Sequence, residues 1–167
     1  VPATLFVPTA HPDSARTFWW DRTHHAVAST TKAAIRAGGA VWPTATPEER
    51  RRSFAAVRAE VGRRPHAEGL ALVDEVESHA GTDAPVPANA TWDALRRMGE
   101  EGLALAAHSR THPLLNRLPT DELDDEVAGS WADLQARVGP LARPAFAPPG
   151  GGIDQRVRDA VARAGLR

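Results

Sequence analysis

Leu103-Ala104-Leu105-Ala106-Ala107-His108-Ser109-Arg110-Thr111-His112-Pro113 begins as five small apolar residues and ends as a polar turn holding two histidines four apart. A short, uninterrupted apolar run with a glycine before it and a polar turn after it reads as a buried strand. The pattern repeats on both sides. Upstream, Thr91 caps a helix that carries Trp92, Leu95 and Met98 and stops at Gly102. Downstream, Pro119-Thr120 opens a helix with the stripe Leu123, Val127, Trp131, Leu134 and Val138, stopped by Gly139. Pro144-Ala145-Phe146-Ala147 reads as the next strand, broken by Pro148-Pro149-Gly150-Gly151-Gly152. Asp154 then caps a last helix, with Val157 and Val161 on its apolar face and Gly165 at its end. Helix, strand, helix, strand, helix with short connections predicts a parallel sheet built of βα units, an α/β fold.

Further upstream, Ala3-Thr4-Leu5-Phe6-Val7-Pro8 suits a buried strand ended by proline. Residues 14–40 are Ala-rich behind Phe18-Trp19-Trp20-Asp21 and close on Gly38-Gly39, which reads as helix. Thr46-Pro47-Glu48-Glu49 is a helix start, with Thr as N-cap, Pro in the first turn and Glu three residues after the cap. Phe54, Val57 and Val61 continue that helix, and a second one runs from about His66 to His79. Gly81-Thr82-Asp83-Ala84-Pro85-Val86-Pro87 has the composition of a loop.

Composition narrows the class. The 167 residues include 42% hydrophobic and 25% charged side chains, suited to a folded core. Twenty basic residues against 21 acidic ones leave a net charge of -1, which argues against a nucleic-acid partner. No apolar run has the length of a membrane span. Arg supplies all the basic residues but Lys32, and its scatter among acids reads as solvated surface. With no cysteine, any metal must rest on histidine and carboxylate.

His108 and His112 are the strongest candidate ligands. Neutral imidazoles four residues apart can converge on one ion if the chain turns helically between them. Spacing alone is weak, since seven histidines in this length supply about 0.3 such pairs by chance. Position adds weight: the pair leaves the carboxyl end of a strand, where parallel sheets bind their ligands. The proline- and glycine-rich segment from Phe146 leaves the next strand at the same end. His24 and His25 are adjacent and face apart on a helix, while His11, His66 and His79 have no partner pattern.

The segment Ala107-His108-Ser109-Arg110-Thr111-His112-Pro113 resembles the H-[ST]-x-x-H-P metal motif of polysaccharide deacetylases, the NodB-like domains of carbohydrate esterase family 4. Three further segments resemble that family in the expected order: Ala3 to Thr9, Thr91 to Arg96, and Pro144 to Gly151. Phe18-Trp19-Trp20-Asp21 resembles a subgroup with a helical insertion. The resemblance implies an incomplete irregular (β/α) barrel formed by residues 1–13 and 91–167, with 14–90 as a helical insertion in the same domain. It implies a divalent ion, zinc first, held by His108, His112 and an aspartate. A second aspartate would act as base and a late histidine as acid, releasing acetate from an N-acetylated polysaccharide or oligosaccharide. By the same resemblance Phe146, Pro148, Pro149 and Gly150 would wall the substrate groove, with Trp19 and Trp20 as sugar-stacking candidates. Ser109, at the small-hydroxyl position, would orient a neighbouring loop, and Arg143 is the nearby candidate for the arginine that often holds the base, Ala147 standing in its usual place. Family members often act at the bacterial cell envelope or outside the cell.

The paired Asp-Asp-Gly of the family is not among the 167 residues, and neither is the late acid histidine. The expectation is that both belong to sequence beyond the two ends. Asp13 and Asp21 are the acids nearest the first matched segment, and neither has the Asp-Asp-Gly setting. Two readings of different class follow: a metal-dependent hydrolase of N-acetyl groups, represented by an interior piece, or a non-catalytic carbohydrate-binding homologue. A phosphate site on Gly150-Gly151-Gly152 is a distant third, lacking the lysine and hydroxyl residue of a P-loop.

Overall fold

The computed structural model describes residues 2–83 and 86–167, so Ala84 and Pro85 of the expected loop lie outside the described residues. In chain order the elements are β1 (Thr4–Val7), α1 (Trp19–Ser29), β2 (Ala34–Ala37), β3 (Ala40–Pro43), α2 (Pro47–Arg63), α3 (His66–Ala80) and α4 (Trp92–Glu100). They continue as β4 (Ala104–Ala107), α5 (Thr120–Asp124), α6 (Ser130–Val138), β5 (Ala142–Phe146) and α7 (Gln155–Arg163). By packing, the chain divides into two compact units: Val1–Arg16 with Ala88–Arg167, and Thr17–Pro87.

The first unit is α/β. Its strands lie in the order β1-β4-β5, both pairings parallel, and among the described residues this sheet has three strands and does not close. β4 is central because its residues Ala104-Leu105-Ala106-Ala107 offer apolar surface to both faces; the last three are fully buried. Thr4 pairs with Ala104 and Val7 with Ala107, while Phe146 meets Ala107 after a register irregularity. Leu105 and Ala107 pack with Leu123, Val127, Leu134 and Val157 from the flanking helices into one core. Trp92 belongs to that core and Trp131 packs against it, as their places on helix stripes require.

Several helix starts follow from single side chains. Thr46 accepts from Glu49 N while Glu49 accepts from Thr46 N, a complete capping box with Pro47 in the first turn. Thr91 accepts from Ala94 N and Asp154 from Val157 N, each satisfying one of the donors that a helix start leaves over.

Three expectations change. Residues 14–40 are not one helix: α1 ends at Ser29, and β2 and β3 form an antiparallel hairpin around Gly38-Gly39. Both glycines have positive φ (61° and 75°), which a two-residue hairpin turn of the primed type demands and a helix forbids. The stripe 119–138 is not one regular helix either. Between α5 and α6, Asp125–Gly129 winds as a π-turn, admitting an extra residue into the helical ladder. The strand expected at Pro144 begins earlier, at Ala142, because Gly139–Leu141 completes a tight turn after α6.

The second unit has its own core. Ile35 of β2 is buried with Val27 of α1, Val57 of α2 and Leu72, Val73 and Val76 of α3. Arg50 ties it together by donating to the carbonyls of Val27, Ala28 and Thr30, the orphaned acceptors at the end of α1. Arg22 pairs with Asp74 and Glu77 across α1 and α3.

Candidate functional site

At the carboxyl ends of β1 and β4 the pairing runs on past the strands. His108 N donates to Val7 O, Thr9 N to Ser109 O and Ala10 N to Arg110 O, each at 3.0 Å. The histidine loop is therefore held edge to edge against residues 8–10. Inside it Ser109 and His112 both adopt the left-handed conformation, with φ of 61° and 65°. The fully buried Ser109 Oγ accepts from His112 N at 3.0 Å, closing the turn that brings the two histidines together. The imidazole centroids lie 4.8 Å apart with planes at 77°.

Electrostatics keep both rings neutral. Burial pushes the His108 pKa below 6.5, partly opposed by a backbone contact to Ala147. Burial pushes His112 further, to about 4, and charge on neighbouring His108 and then His11 would add to the effect. His108 Nδ1 lies 2.6 Å from Ala147 O. A carbonyl can only accept, so Nδ1 carries the proton and Nε2 keeps its lone pair, the tautomer a metal ligand needs. The segment after β5 thus orients the first histidine through its backbone.

The expected groove wall lies against the histidine loop. A Cβ on Gly150 would come within 2.7 Å of Leu114 Cδ2, and one on Gly152 within 2.9 Å of Asn116 Oδ1. Phe146 is 8% exposed and packs in the core of the first unit. Pro149 is also buried, which leaves half-buried Pro148 and exposed Gly150 as the outward part of that segment. Arg143 is exposed on β5, three residues before Phe146. Trp19 and Trp20 belong to the other unit. There Trp19 packs against the core, and Trp20 stacks on Phe18 at 4.5 Å and meets Trp19 edge-on at 5.5 Å.

The acids are placed elsewhere. Asp13 has φ of 57° and its carboxylate accepts from Trp92 N at the start of α4, so it works as a helix cap. Glu126 accepts from Arg110 N, Thr111 N and Thr111 Oγ1, and Asp133 accepts from Thr9 Oγ1 and Arg110. Among the described residues no group of three His, Cys, Asp or Glu side chains is arranged to hold a metal ion. In proximity and in the burial that favours the neutral ring, His108 and His112 suit two corners of a divalent-ion site, His108 also in tautomer; among the described residues a third ligand is not grouped with them.

Sequence reasoning passed over His11 and Glu126. His11 is 5% exposed and close enough to influence His112 electrostatically, with its own pKa lowered chiefly by burial. Its place just beyond the carboxyl end of β1 gains meaning only once β1 lies beside β4. Glu126 had no signal in the sequence, since its approach to the loop depends on the π-turn.

A family model described as polysaccharide deacetylase matches residues 71–167, more than half of the chain, including β4, the histidine loop and β5. No curated protein and no solved structure matches the chain. On the strength of that match, the chain belongs to the polysaccharide deacetylase family.

Proposed function

We propose that the chain serves metal-dependent removal of N-acetyl groups from a polysaccharide or oligosaccharide, with His108 and His112 as two ligands of a divalent ion, zinc first. The observation that carries this reading is the Nδ1 contact of His108 to Ala147 O, which leaves Nε2 as a ligating lone pair beside a second neutral imidazole. A divalent ion there would polarise an acetamide carbonyl and lower the pKa of a bound water. The chain's own part is to hold two neutral donors with little reorganisation. Burial and the Ser109 hydroxyl keep His112 in place, and the Ala147 carbonyl fixes the ring of His108. Pro148 and Gly150 flank the loop where a sugar would lie, with Arg143 in a supporting role; Trp19 and Trp20 are sugar-stacking candidates within the second unit. The three parallel strands would belong to an irregular (β/α) barrel, with residues 14–90 as an insertion in the same domain.

The incomplete ligand set favours a second reading, a homologue that binds glycan without turnover. Catalytic zinc sites use three protein ligands and an open position, and among the described residues the base and acid of the family have no counterpart grouped with these histidines. Acetate release from N-acetylated chito-oligosaccharide, with and without added zinc, separates the readings. The expected result is background release from these 167 residues, with glycan binding that zinc strengthens. Turnover at ordinary enzyme rates would overturn the incomplete site, and glycan binding indifferent to zinc would favour the non-catalytic homologue.

A further inference from the structure

Glu126 stands out among the groups not absorbed by the site. It is half-buried, it belongs to the π-turn, and both of its oxygens are directed at the histidine loop. Oε2 accepts from Arg110 N at 2.7 Å and Thr111 N at 3.0 Å, and Oε1 accepts from Thr111 Oγ1 at 2.6 Å. Two consecutive amides and a hydroxyl, all between the two histidines, converge on one carboxylate. The loop cannot satisfy these donors itself, because residues 109 and 112 are in left-handed conformations that take its backbone out of any helical ladder.

The surrounding residues serve the same contact. Arg110 turns away from the histidines to Asp133, with Nε at 2.8 Å and an NH2 contact at 3.1 Å, and to Asp125 at 2.7 Å. Its guanidinium passes over Gly129, where a Cβ would sit 2.6 Å from Arg110 Cζ. Gly129 closes the π-turn, so the irregular turn supplies both the carboxylate and the space for the arginine. Asp133 also accepts from Thr9 Oγ1 at 3.0 Å, fastening the loop after β1 to the same helix.

We propose that Glu126, presented by the π-turn, is the positioning residue that sets the spacing of His108 and His112 for metal binding. This rests on the reading of those histidines as ligands. Its action is indirect, through the backbone of residues 110–111, and its geometry matters more than its charge. A glutamine can place its carbonyl oxygen where Oε2 accepts both amides, while Thr111 Oγ1 reorients to accept from the new NH2 group. An alanine leaves all three donors unmatched.

Zinc is titrated into the full 167-residue chain, wild type and variants, following the ring resonances of His108 and His112, with circular dichroism and thermal unfolding run alongside. Glu126→Ala is expected to weaken zinc binding about 10-fold or more, the usual scale for residues that orient ligands. Glu126→Gln should stay within about 3-fold of wild type and restore the metal-free ring resonances of the wild-type chain. Thr111→Val, which keeps both amide bonds, gives an intermediate loss and covers the case in which the alanine variant does not fold. Saturable wild-type binding with Glu126→Ala or Thr111→Val unchanged, or with Glu126→Gln as weak as Glu126→Ala, would overturn the positioning role. If wild-type ring resonances ignore zinc, the ligand reading fails and this inference falls with it; the wild-type arm alone shows which has failed.

Discussion

His112 carries the sharpest consequence of burial at the level of a single residue. Its folded-state pKa of about 4 lies below the ordinary 6.5, so folding favours the neutral ring. Above pH 6.5 the ring is neutral in both folded and unfolded chains, and the full stability is present. As pH falls below that value the unfolded chain takes up the proton first, and stability is lost progressively down to about pH 4. His108 and His11 are lowered by burial as well and act in the same direction. Urea unfolding from pH 7.5 to 4.5 is expected to show a steady loss that His112→Ala makes shallower. A flat profile in the wild type would mean that the imidazoles are solvated. These side chains were legible in the sequence as a pair, but His11 was not: its closeness to His112 arises only when β1 and β4 lie side by side.

Elements that announce themselves through local chemistry were readable, and those set by tertiary competition were not. Thr46, Thr91 and Asp154 each bond to a backbone amide within their own helix start, so sequence spacing alone identifies them. The π-turn at Asp125–Gly129 leaves no local mark, because Leu123, Val127, Leu134 and Val138 remain buried in spite of the extra residue. In the hairpin, the Gly38-Gly39 pair between two short runs was a turn signal masked by alanine's helix preference. The two glycines also allow a graded test. Gly39→Ala meets open space and should cost only the left-handed strain, about 1–2 kcal/mol. Gly38→Ala adds a Cβ 2.7 Å from Leu72 Cδ1, so it should destabilise more. Thermal unfolding of the two variants checks the order; equal losses would mean Leu72 moves aside freely.

Across the whole molecule, the α/β character of the first unit was legible from alternation, because β4 with its flanking helices repeats the same strand-then-helix grammar. Closure into a barrel does not follow from that grammar, and the described sheet has three strands. The division into two cores, one around Leu105 and one around Val57 and Leu72, rests on contacts between residues far apart in the chain. The central claim of the account lies in the first unit, where the histidine loop meets Ala147. Isothermal titration with zinc on wild type, His108→Ala and His112→Ala tests it most directly. The account predicts one saturable zinc site in the wild type that either substitution weakens by about 10-fold or more, because each ring supplies a ligand. Zinc binding unchanged in both variants would contradict it.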